Sequence, residues 1–154
     1  MLQKREKVTI FDTTLRDGEQ GADTSMSSSD KIKIACALEQ AGVDVIEAGF
    51  PVASTEVFRV VEEVATQTTT ATICALARSL PGDVTAATAA VKSAGGRGRI
   101  HVFVATEADH MSIKLQRTPE QVLDMIRSSV SQACSLVSDV QFSPEVGAAS
   151  EAGF

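Results

Sequence analysis

Apolar positions along this chain fall into two alternating textures. Short β-branched runs, such as Val8-Thr9-Ile10 and Val43-Asp44-Val45-Ile46, are separated by longer stretches in which apolar side chains recur every three to four residues. The first texture fits strands and the second amphipathic helices, and their alternation predicts repeated βα units around a parallel sheet. Strands are predicted near residues 8–11, 43–48, 70–77, 99–105 and 139–142, with helices over 28–41, 54–67, 82–94 and 118–137. This makes five strands and four helices, with each unit close to the barrel period of about 30 residues.

Several helix ends carry their own signals. Ser29-Asp30 can cap the first helix, and Ala41-Gly42 can end it, because glycine enters the left-handed region at little cost. Thr118-Pro119-Glu120-Gln121 has the order of a cap, a first-turn proline and a reciprocal capping residue. Gly95-Gly96-Arg97-Gly98 follows a helix and precedes a strand, so it reads as a turn; a phosphate loop has the opposite order. No linker or low-complexity segment interrupts the chain, which is read as one domain over residues 1–154.

Length changes the picture. The chain has 154 residues, whereas a complete TIM barrel needs about 250. The fold class expected is therefore α/β, a partial TIM (β/α)8 barrel that this chain does not close alone. Such a sheet leaves two edges open, so association through them, as a homo-oligomer or with a partner chain, is expected.

A net charge of −6 and a sequence pI near 4.9 argue against nucleic-acid or membrane partners, which call for a basic face. No stretch approaches a membrane span of about 20 apolar residues, and the charged opening lacks a signal-peptide core, so a cytoplasmic location is expected. Cys36, Cys74 and Cys134 are odd in number, far apart and set in apolar segments. They are read as buried packing residues, not as disulfides or a cysteine-type zinc site.

The chemistry concentrates after the first strand, where residues 11–20 read FDTTLRDGEQ. Parallel α/β folds keep their active groups at this end of the strands. Arg16 is a permanent planar cation suited to a carboxylate or a developing enolate oxygen, and Asp17 is a hard oxygen ligand for a divalent metal. Taken alone, the loop reads equally well as a helix cap or a solvated turn.

The longer pattern resembles the DRE-TIM metallolyase family, and most closely its 2-isopropylmalate synthases. TLRDGEQ is followed by VIEAGFP at 45–51, RIHVFVAT at 99–106, His110-Met111 with Lys114-Leu115, and FSPE at 142–145, in the family's order. Arg16, Asp17 and Glu47 correspond to the residues that give the family its name. The resemblance implies a metal-assisted Claisen condensation of acetyl-CoA with 3-methyl-2-oxobutanoate, in leucine biosynthesis, with Mg, Mn or Zn as the divalent metal. Its partners would be a small 2-oxo acid and acetyl-CoA.

By the same resemblance Asp17 is the metal ligand, and Arg16 and Glu47 are catalytic, Glu47 by orienting Arg16. Arg16, Gln20, His101, Ser143 and Glu145 are the substrate-binding candidates. Citramalate or homocitrate synthase remains an alternative reaction, and a non-catalytic truncated barrel module a different class. The family also carries a His-x-His pair as further metal ligands. His101 and His110 are the only histidines here, so the isolated chain is expected to be inactive. Residues 146–150 also read VGAAS where relatives carry an acidic and a basic residue. His110 is taken as structural or exposed.

Overall fold

The computed structural model describes residues 7–21 and 25–150. Its strands are β1 (Phe11–Asp12), β2 (Val45–Gly49), β3 (Thr72–Arg78), β4 (Gly98–Ala105) and β5 (Asp139–Glu145); its α-helices are α1 (Ser28–Gln40), α2 (Thr55–Gln67), α3 (Pro81–Ala90) and α4 (Pro119–Leu136). All neighbouring strands are parallel, and the order is β1-β2-β3-β4-β5. Right-handed crossovers in an unreversed order put every helix on the same face, which is barrel winding and not the doubly wound alternative. The result is an open half-barrel, as the α/β periodicity predicts.

Strand alternation then divides the side chains. Ile46, Ala48, Ile73, Ala75, Ala77, Ile100 and Val102 point to the helices and pack with Ala35 of α1, Val60, Val61 and Val64 of α2, Val84 and Ala87 of α3 and Ala133 of α4. Burying each large aliphatic side chain here contributes about 1.5–3 kcal/mol. The opposite, concave face receives the buried polar groups Glu47 and His101, with the buried Cys74 between them. The two faces are thus a hydrophobic core and a chemical surface.

Some boundaries differ from expectation. The first strand is confined to Phe11–Asp12, with Val8 and Ile10 exposed. Asp44 explains this: its carboxylate accepts the Ile10 N–H, while Ile10 C=O takes the Asp44 and Val45 N–H groups, so a side chain replaces the ladder there. The cap of α1 is Ser27, not Ser29; its Oγ accepts the Asp30 N–H. Helix α3 stops at Ala90, and an irregular turn over Lys92–Arg97 contains Gly95 at φ 59°.

Other ends follow the sequence signals. Thr118 and Gln121 form the reciprocal capping box of α4, and Gly42 lies at φ 86° just past α1. Strand β5 runs through Pro144 to Glu145; proline fits because this is an edge strand with one face unpaired. The cysteine expectation needs correcting: Cys74 is buried, Cys36 is half-buried and Cys134 is exposed, all three free. Cys134 lies in α4, outside the buried stripe that Val122, Ser129 and Ala133 define.

Candidate active site

The loop after β1 is tied before it reaches the concave face. Thr13 C=O accepts the N–H groups of Arg16, Asp17 and Gly18, and the Asp12 carboxylate accepts the Thr14 N–H at 2.9 Å. Leu15 is buried in the helix-side core, which turns its neighbour Arg16 toward the strands' other face. Lys31 of α1, buried itself, holds Glu19 at 2.5 Å and fixes the far end of the loop to the scaffold.

Glu47, fully buried at the centre of β2, organises the site. Its Oε2 accepts Arg16 Nε at 2.6 Å and Arg16 Nη2 at 2.6 Å, a forked pair that suits a guanidinium. Its Oε1 lies 2.6 Å from His101 Nδ1 on β4, and His101 Nε2 lies 2.7 Å from Ser143 Oγ on β5. Burial pushes the Glu47 carboxyl up, but the His101 hydrogen bond and the Arg16 charge and hydrogen bond outweigh it and hold the group below the usual carboxylate range. Facing a carboxylate, the His101 Nδ1–H donates; in the corresponding neutral tautomer Nε2 accepts and the Ser143 hydroxyl donates to it.

Arg16 has one further edge. Its Nη1 donates to Asp17 Oδ1 at 2.7 Å, and the Asp17 side chain is 58% exposed whereas that of Glu47 is 0%. Asp17 is therefore presented to the mouth while Glu47 is sealed. The edge of Phe11 packs against His101, with ring centroids 6.1 Å apart, closing that side.

Two candidates lie outside this cluster. Gln20 is exposed on the turn Gly18–Gln20. Glu145 shares the face of Ser143 but pairs with Lys114 at 3.3 Å. It lines a separate recess of about 370 Å³ with Phe103, Leu115 and Met125. His110 begins a π-helical turn over His110–Leu115 and is partly exposed beside Glu107, consistent with a structural place.

For a metal, Asp17 fits as one hard ligand at the mouth, and a single carboxylate is not a complete site. A different group of donors is closer together: one ligand atom each from Glu47, Cys74 and His101 lies within 4.8 Å of the others, and all three residues are buried. Cys74 carried no motif in the sequence. Its only signal was register, since it stands opposite Glu47 in the ladder. Burial, with the Glu47 charge, pushes its thiol well above the ordinary value.

A sequential parallel sheet, helices on one face and an Arg–Glu–His–Ser chain on the other define a partial TIM-barrel scaffold whose polar centre lies on the concave face and is reached from the loop at the carboxyl end of β1. The sequence model of the HMGL-like family matches residues 7–154, and the chain belongs to that family. It is 48% identical to a 2-isopropylmalate synthase of Caulobacter vibrioides over 99% of its own length and 29% of that protein's. It is 49% identical to a putative 2-isopropylmalate synthase of Buchnera aphidicola over 91% of the chain and 36% of the relative. The chain thus spans roughly a third of the curated relatives it matches. An HMG-CoA lyase from Acinetobacter baumannii, solved with coenzyme A and 3-methylmalate, superposes with a TM-score of 0.61 at 22% identity, covering 87% of this chain and 43% of that one. At that identity the likeness establishes the fold.

Proposed function

We propose that the chain is the N-terminal part of a 2-isopropylmalate synthase barrel, contributing to the condensation of acetyl-CoA with 3-methyl-2-oxobutanoate. The observation that carries this is the Arg16 fork: two nitrogens anchored on buried Glu47, the third directed at Asp17 on the exposed mouth. In this role Glu47 holds Arg16 in place, and Arg16 offers a preorganised positive charge where the keto oxygen becomes an alkoxide. His101 keeps the Ser143 hydroxyl oriented, leaving its lone pairs toward the open face as a hydrogen-bond acceptor. Glu145 would contact the far end of the keto acid, and Gln20 its edge near the loop. A divalent metal, with Asp17 as one ligand, would polarise the keto carbonyl when bound. The base that takes the methyl proton is assigned to no described residue, so the isolated chain is expected to bind and not to turn over.

Titration calorimetry of the folded chain with manganese chloride and 3-methyl-2-oxobutanoate tests this. Saturable, metal-dependent binding that disappears in Asp17→Ala is expected, with pyruvate and 2-oxoglutarate weaker. No saturable heat from a sample with native circular dichroism refutes the synthase reading and leaves the non-catalytic barrel module.

A further inference from the structure

We infer that Glu47, Cys74 and His101 form a buried site for a borderline-soft dication such as zinc or cobalt, separate from the Asp17 position. Three strands converge on it: Glu47 from β2, Cys74 from β3 and His101 from β4. Glu47 and Cys74 are partners in the ladder, and His101 faces Leu76, two residues beyond Cys74, so the three lie on adjoining rungs of the concave face. Their ligand atoms are within 4.8 Å of one another. Bonds of about 2.0–2.3 Å at tetrahedral angles need separations of roughly 3.3–3.8 Å, so Glu47 Oε1 and His101 Nδ1, hydrogen-bonded at 2.6 Å, would part by about 0.7 Å to admit the ion, while the Cys74 sulfur would close by up to about 1 Å.

The donor chemistry selects the ion. One sulfur, one imidazole nitrogen and one carboxylate oxygen match zinc or cobalt, whereas magnesium and calcium prefer oxygen alone. The outer contacts are also in place. A metal-bound imidazole places its other N–H on a fixed acceptor, and Ser143 Oγ already lies 2.7 Å from Nε2. Arg16 holds the Glu47 oxygen that the metal would not use. On binding, the Cys74 thiol proton leaves to solvent as the sulfur–metal bond forms, and the Nδ1 proton of His101 is replaced by one on Nε2 that Ser143 accepts. One proton is released per metal.

The test is titration of the full chain with cobalt chloride, read by the thiolate-to-cobalt charge-transfer absorption in the near ultraviolet. Saturable absorption is expected, retained in the Cys36→Ser/Cys134→Ser double variant, where Cys74 is the only thiol left. Asp17→Ala should change the cobalt affinity by less than about twofold, while His101→Gln should weaken it more than about tenfold. Absence of the band in the folded double variant overturns the proposal, and so does a band that depends on Asp17. Loss of keto-acid binding with the cobalt band intact would strike only the synthase reading.

Discussion

Glu39, near the end of α1, gives a prediction with a calculable size. Its carboxylate accepts the N–H groups of Thr69 at 2.9 Å, Thr70 at 2.7 Å and Ala71 at 2.8 Å, three donors of the turn that leads into β3. Arg97 complements it by donating to the carbonyls of Ala71 and Thr68 at 2.6 and 2.8 Å. Burial pushes the Glu39 carboxyl up, but the three N–H groups overcome it and bring the pKa from 4.5 down to about 2. A shift of that size corresponds to about 3.4 kcal/mol at 1.36 kcal/mol per unit. Solvent screening of this partly exposed group reduces it to about 1.5–2 kcal/mol. Because the folded pKa is depressed, the contribution is complete above pH 4.5 and lost as the pH falls toward 2. Glu39→Gln keeps one acceptor and no charge, and urea unfolding followed by circular dichroism should show it about 1.5–2 kcal/mol less stable at pH 7. At pH 3 the gap between the two proteins should shrink to less than half. A gap under about 0.5 kcal/mol at pH 7, or one of equal size at both pH values, would refute the account.

Two further predictions concern the site and the sheet. Glu47→Gln should cost about 3–5 kcal/mol in denaturant unfolding, since it leaves Arg16 facing a buried neutral amide, whereas Asp17→Ala should cost under about 1 kcal/mol; equal losses would contradict the division between anchor and mouth. Gly98→Ala should lower stability by about 1–3 kcal/mol in the same assay, because a Cβ there would sit 2.9 Å from Val91 Cγ2 and 3.3 Å from Val91 C=O; an unchanged midpoint would show that Val91 can move away freely.

The parts of this fold legible in the sequence are those encoded by local periodicity. Helix α4 was readable at both ends because its stripe is long and its first turn carries the Thr118 and Gln121 capping box. Strand β1 is shorter than its composition suggests, because Val8-Thr9-Ile10 has strand composition, and composition does not reveal that Asp44 takes over the backbone pairing of Ile10. The candidate site divides in the same way. Arg16, Asp17 and Glu47 stood in recognisable strings, while Cys74 became visible only when parallel register set it beside Glu47, a relation between residues 27 apart in sequence that no local pattern carries.

Glu47 also explains how the concave face tolerates burying an ionised group. An unpaired carboxylate there would cost several kcal/mol, yet Arg16 donates twice to one oxygen and His101 donates to the other, so both oxygens are satisfied. The contacts of Arg16 are unequal in consequence. Its bonds to Glu47 are shielded from water and resist exchange, while its bond to Asp17 lies where solvent and solutes compete and is worth at most about 1 kcal/mol. An incoming anionic oxygen can therefore replace Asp17 on Nη1 without loosening Glu47. The site can exchange its outer partner while its inner frame stays fixed, which is what the proposed role of Arg16, binding a keto oxygen and then stabilising the alkoxide, would require.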